Sequence, residues 1–204
     1  MRDKLQGKFI VLDGPDGCGK TTQVQLLSQW LRRQGVETVS FREPGGTVIG
    51  EKIRQILLNP EHITMNTATE VLLYMSARAQ VWVEKISPAL EANKCVLLDR
   101  WLSSTCAYQG YAGGFGIDNV IRITEGSLAR IWPDLTIIMD VDMETSTKRM
   151  KRQPDRMEKK GSYYHNKVRQ GFIELARRPN FELIDGSGDI QQVHKRVIQA
   201  IERY

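Results

Sequence analysis

No apolar run in these 204 residues approaches the roughly 18 needed to cross a bilayer. The first run, Phe9 to Leu12, stops at Asp13 and is too short for the core of a secretory signal. The expectation is a soluble, cytoplasmic protein without a membrane partner. Cysteine is scarce: Cys18, Cys95 and Cys106 are an odd number with no C-x-x-C pair, which leaves no disulfide framework. The three histidines, His62, His165 and His194, lie far apart in sequence and suggest no zinc site. No repeat or linker divides the chain, so residues 1–204 read as a single domain.

Charge of one sign is also lacking over most of the chain. The net charge is +5, yet the segment "KRMKRQPDRMEKK" from Lys148 to Lys160 holds seven of the 29 basic residues and two of the 24 acidic ones. The rest balances at 22 of each sign. A nucleic-acid face would spread its excess over several elements, so no nucleic-acid partner is expected and the basic run reads as one local device.

What is present is an alternation of strands and helices. Phe9 to Leu12, Val39 to Phe41, "CVLLDR" from Cys95, Leu135 to Val141 and Phe181 to Ile184 are short, near-continuous apolar runs. Helical spacing marks Thr21 to Gln34, and Val48 to Leu58 with Ile49, Ile53, Ile56 and Leu57 inward. Thr67 and Glu70 stand at capping-box spacing before a helix through Val71 to Val83, which continues past Pro88 towards Ala92 with a kink. Ile117 to Ile131 and Tyr163 to Arg178 read as helices, and Asp142 caps another that runs into the basic segment and breaks near Pro154. Asp189 and Gln192 cap the last, with Ile190, Val193, Val197 and Ile201 inward. The class is α/β: a five-stranded parallel sheet with helices on both faces.

The stretch "VLDGPDGCGKTTQ" satisfies G-x-x-x-x-G-K-[ST] between a strand and a helix. Glycines let backbone N–H groups turn inward as an anion nest, and the helix N-terminus adds partial positive charge. The segment Gly14, Pro15, Asp16, Gly17, Cys18, Gly19, Lys20, Thr21 and Thr22 is therefore expected to bind ATP. Lys20 would reach the β and γ phosphates and the Thr21 hydroxyl would ligate Mg2+. The guanine-reading N-K-x-D of GTP switches is missing: "NKCV" at Asn93 and "NKVR" at Asn166 lack its aspartate.

Ligands of a parallel sheet sit beyond the carboxyl ends of its strands. Asp16, Arg42 with Glu43, and Asp99 with Arg100 stand at three such ends, and Asp99 joins Thr21 as a candidate metal ligand. A nucleoside monophosphate has a second phosphate pKa near 6 and needs no general base; it needs cations that offset the repulsion between two anions. Lys20 and Arg100 supply them, with Arg149 and Arg152 on one helix face and Arg156 after Pro154, as in a flap over the phosphates.

"GPDGCGKTT", "REPGGT", "DRWLSSTCAYQG", "PDLTIIMDV" and "DRMEKKGSYYHNKV" follow one another in an order and spacing that resemble the bacterial type of the thymidylate kinase family, nearly end to end. The resemblance implies the P-loop nucleoside monophosphate kinase fold with a mobile arginine-rich lid at about 148–162. It implies transfer of the γ-phosphoryl of ATP to dTMP with Mg2+, for dTTP synthesis, by a homodimer. By the same resemblance Asp16 approaches the acceptor sugar and the metal site, Glu43 lies over the sugar, and Arg54 and Arg100 surround the acceptor phosphate. Tyr74 stacks on thymine, and Arg78 one helical turn later donates to the base edge. Ser104 and Thr105 contact base and phosphate, the Tyr108 ring crowds the 2′ position, and Gln109 adjoins the acceptor. Gly17 and Cys18 provide no arginine within the P-loop, so the catalytic arginine is expected in the lid, among Arg149, Arg152 and Arg156. Two other readings stay open at this level: a nucleoside monophosphate kinase with another base, and a nucleotide-dependent binding protein.

Overall fold

In the computed structural model, which describes residues 1–150 and 153–204, five parallel strands form one sheet in the order β2-β3-β1-β4-β5. They are β1 (Phe9–Asp13), β2 (Thr38–Arg42), β3 (Cys95–Asp99), β4 (Leu135–Asp140) and β5 (Phe181–Asp185). Each expected strand is present, with ends shifted by one residue at most. The register sets Leu12 beside Asp99 on one flank and Ile137 on the other, so the carboxyl ends of the three central strands lie level.

Alternation along β1 explains the two-sided core. Phe9 and Val11 join Val96, Leu98, Trp82, Trp101 and Phe172 on one face. Ile10 and Leu12 join Leu97, Ile137, Leu27 and Val197 on the other. Side chains of successive strand residues point to opposite faces, so an all-apolar strand requires cover on both.

The helices that supply the cover are α1 (Arg2–Leu5), α2 (Lys20–Arg33), α3 (Val48–Leu58), α4 (Thr67–Val81), α5 (Ser87–Glu91), α6 (Leu102–Thr105), α7 (Ile117–Glu125), α8 (Met143–Arg149), α9 (Gly161–Leu175) and α10 (Ile190–Arg203). Widened π-turns at Trp82–Ile86 and Cys106–Ala112 continue α4 and α6. The first lets the helix run on past Pro88.

Several expectations are corrected. In α3 only Leu57 of the four inward candidates is buried; Ile53 is half-buried, and Ile49 and Ile56 are exposed. Asn66, not Thr67, caps α4 by accepting from Thr69 N, and Glu70 turns inward to other partners. The helix expected to Ile131 ends at Glu125 before Gly126. Ile190 is exposed at the first turn of α10, while the Asp189–Gln192 capping box is formed as expected. The helical stretch 102–112 was not anticipated, since its apolar spacing follows the π-turn rather than the 3.6-residue period.

Candidate active site

The loop from Gly14 to Gly19 joins β1 to α2 and opens into a cleft of about 1090 Å3. Two of its glycines are dictated by close approach. A Cβ at Gly14 (φ 140°) would stand 2.5 Å from Met139 O of β4, and one at Gly17 (φ 74°) 2.5 Å from Ser146 O of α8. The second contact docks α8 on the loop, where Ser146 Oγ donates to Asp16 O at 2.6 Å. Lys20 is buried at the start of α2, its ammonium donating to Gly14 O (3.0 Å) and Pro15 O (2.7 Å) across the loop. Thr21 Oγ1 donates to Asp99 Oδ2 at 2.5 Å, which brings a hydroxyl and a carboxylate together at the sheet's rim.

Beside this cleft lies a second, narrower pocket lined by Tyr74, Arg78, Ser104, Thr105, Tyr108 and Gln109. Asp16, Glu43, Arg54 and Arg100 line both. Arg100 is the join between them. Its backbone is left-handed (φ 72°), an uncommon state for a residue with a Cβ. Its guanidinium donates to Gly14 O (3.1 Å), Ser104 Oγ (2.8 Å) and Asp16 Oδ1 (2.5 Å), and lies 5.4 Å from the centre of the Tyr108 ring. Tyr108 in turn donates to Asp16 Oδ2 at 2.6 Å. Burial alone would raise the Asp16 carboxyl; the charges of Arg100 and Lys20 and the Tyr108 hydroxyl outweigh it and hold it down at about 2. Burial likewise pushes the Tyr108 phenol well up, so it stays a donor.

Arg78 is 1% exposed; it donates to Glu43 Oε2 through Nε at 2.8 Å and to Thr105 Oγ1 at 3.2 Å, with Trp101 5.0 Å from its guanidinium carbon. Thr105 uses a lone pair here and keeps its own proton to donate. Burial pushes the Glu43 carboxyl up to about 7 despite the Arg78 charge, and Glu43 Oε1 has no hydrogen-bond partner among the described residues. Arg54 donates to Pro44 O at 2.9 Å, and Tyr74 is half-buried in the pocket wall.

Of the arginines expected in the lid, Arg149 and Arg156 do not converge. Arg149 lines the first cleft, donating to Gly186 O and Gly188 O at 2.9 Å each. Arg152 lies outside the described residues. Arg156 corrects the expectation of a flap over the phosphates: it is 5% exposed, lines neither cavity, and donates to Glu70 Oε1 (2.6 Å) and Leu57 O (2.7 Å). A buried carboxylate competes for that guanidinium more strongly than solvent-facing phosphate sites would, since an unpaired buried Glu70 would be costly.

The likenesses to known proteins agree with this geometry. The family model described as "Thymidylate kinase" matches residues 12–197. The chain belongs to the thymidylate kinase family. A relative named "Thymidylate kinase" from Thermoanaerobacter sp. (strain X514) is 45% identical over 203 residues, 98% of this chain and all of that one. One of the same name from Bacillus licheniformis is 41% identical over 97% of this chain and 96% of its own. The crystal structure of thymidylate kinase from Ehrlichia chaffeensis superposes with a TM-score of 0.79 at 30% identity, covering 97% and 99% of the two chains.

Against this family frame, three groups escaped the sequence reading. Asp13 is fully buried at the end of β1 and accepts from Gly14 N, Ser103 Oγ and Ser104 Oγ, tying the P-loop to the Arg100 turn. Its place before the loop hides it among strand residues. Glu70 gathers Arg156, Lys160 and Gln109, contacts separated by up to 90 positions that no local pattern reveals. Gly188 and Asp189 of the loop after β5, with Ile190 and Gln191 of the first turn of α10, line the first cleft, and their position after the last strand was the available signal.

Proposed function

We propose that the protein phosphorylates dTMP to dTDP with ATP and Mg2+, by direct in-line transfer between two adjoining sites. The observation that supports this reading is the sharing of Asp16, Glu43, Arg54 and Arg100 by the two cavities, so that a donor phosphate in one and an acceptor phosphate in the other would meet at these residues. The first cleft, with P-loop amides, Lys20 and Thr21, is the ATP site. In it the segment Gly14 to Thr22 cradles the phosphates and Arg149 holds the wall formed by Gly186 and Gly188. The second pocket takes dTMP. Tyr74 provides a ring face, Arg78 and Thr105 face the base edge, and Arg54 and Arg100 receive the acceptor phosphate.

Because the acceptor phosphate is already an oxyanion near neutrality, the protein's work is charge placement and alignment. Lys20 and Arg100 are catalytic in this sense: cations beside developing charge, Arg100 fixed by Gly14 O, Ser104 and Asp16, and Lys20 held at loop carbonyls that it would exchange for phosphate oxygens. Arg149 and Arg152 remain candidates for the lid cation, whereas Arg156 anchors the lid's far end. Hard oxygen ligands suit magnesium, and Thr21 and Asp99 are such a pair, both lining the first cleft. When bound there, the ion neutralises phosphate charge.

Tyr108, held between Arg100 and Phe172, would crowd the 2′ position of the acceptor sugar. The three unpaired, buried cysteines fit the reducing cytoplasm. We also propose a homodimer; α3 and α4 leave Val48, Ile49, Ile56 and Leu72 exposed on neighbouring helices.

The test is coupled ADP release with a panel of nucleoside monophosphates. Strong turnover that requires dTMP supports the reading. A different preferred base, or hydrolysis of ATP that ignores the acceptor, contradicts it.

A further inference from the structure

Gln109 sits in the π-turn Cys106–Ala112 at the wall of the acceptor pocket and is 1% exposed. Its side-chain Nε2 donates to Glu70 Oε2 at 2.9 Å. Glu70, equally buried, receives Arg156 Nη1 (2.6 Å) and Lys160 Nζ (2.7 Å) on its other oxygen. Burial would raise this carboxyl, but the bonds from Lys160, Arg156 and Gln109 outweigh it and hold it below the ordinary carboxylate range.

An ionised carboxylate can only accept hydrogen bonds. The Gln109 amide therefore has to present its NH2 to Glu70, and the orientation follows from the partner. The oxygen Oε1 is what remains for the pocket; it accepts no hydrogen bond from the described residues. Thymine and uracil carry an N3–H that can donate to such an oxygen. Cytosine carries a bare N3, an acceptor that would face it lone pair to lone pair.

We propose that Glu70 is a positioning residue for base specificity: it locks the Gln109 amide with its oxygen towards the acceptor, and so admits pyrimidines with an N3–H and rejects cytosine. Its effect runs through Gln109, not through contact with substrate. The inference rests on the dTMP reading above and adds to it a residue outside the pocket wall.

The experiment compares dTMP and dCMP as acceptors for the full-length wild-type enzyme, Glu70→Gln, Gln109→Met and the double variant. A glutamine at 70 keeps an oxygen for Arg156 and Lys160 but can donate, freeing the Gln109 amide to turn over. The expected result is a fall in the ratio of kcat/KM for dTMP over dCMP by about 30-fold or more in Glu70→Gln, the size of one unmatched buried polar contact. In the Gln109→Met background, Glu70→Gln is expected to leave that ratio where Gln109→Met alone put it. A parallel loss for both acceptors, or an unchanged ratio, assigns Glu70 a merely structural role and overturns the proposal. Should Glu70→Gln not fold, a wild-type crystal with dTMP decides: the base N3 within hydrogen-bond distance of the Gln109 amide, with that amide still on Glu70, supports the proposal, and N3 paired elsewhere overturns it. Failure of the underlying dTMP reading is separate and visible first, as a wild-type enzyme that does not turn over dTMP.

Discussion

Arg100 is held from four directions, by Gly14 O, Ser104, Asp16 and the Tyr108 ring, in a backbone conformation that favours glycine. Such over-determination marks a residue whose position matters more than its reach. Arg100→Ala is expected to raise KM for dTMP by about 30-fold or more, the order of one lost charge-assisted contact, with much less change in KM for ATP. Steady-state kinetics with each substrate varied in turn checks this, and equal loss of both affinities would count against an acceptor role. Its partner Asp16 has a pH signature. The folded carboxyl titrates near 2, below the unfolded value of 3.8, so its stabilisation is present above about pH 4 and is lost as pH falls towards 2. Denaturant melts of wild type and Asp16→Asn are expected to differ by about 2 kcal/mol at neutral pH, with the gap narrowing in acid. At this scale the sequence was most legible where chemistry and backbone are local: Lys20, Thr21, Asp16 and Arg100 stand in short motifs at strand ends. Arg156 was misplaced because its partner, Glu70, is 86 positions away, and charge in a basic run carries no information about which carboxylate will claim it.

Among the elements, α10 shows how a cap serves a site. Asp189 accepts from Gln191 N and Gln192 N while Gln192 Oε1 accepts from Asp189 N, and Asp189 and Gln191 border the first cleft, the proposed ATP site. Asp189→Ala is expected to cost about 1 kcal/mol, a fall in Tm of roughly 2–4 °C, and to raise KM for ATP while sparing KM for dTMP. A calorimetric scan and the two KM values read it; a change in KM for dTMP alone would contradict it. The capping box was visible in the sequence because its residues are three apart. The π-turns were not, since their wider pitch breaks the 3.6-residue spacing, and the segment that presents Tyr108 and Gln109 was missed as a helix although its residues were expected in the site.

For the whole molecule, the sheet order places β1 at the centre with β3 and β4 on either side, so P-loop, Arg100 turn and the loops after β4 and β5 share one rim. Alternating apolar strands and helices specified that arrangement. What the spacing misjudged is the face of α3: helical periodicity gives the same stripe whether it meets the core or another copy of the chain. Ile49→Glu with Leu72→Glu is expected to convert a dimer to a monomer in sedimentation velocity, and a wild-type protein that sediments as a monomer would remove the dimer proposal. The central claim is that one phosphoryl group passes directly between two sites joined at Asp16 and Arg100. Turnover of ATP made chiral at the γ-phosphorus, followed by configurational analysis of the β-phosphorus in dTDP, tests it most directly. The account predicts inversion; retention would mean an intervening phosphoenzyme and would contradict it.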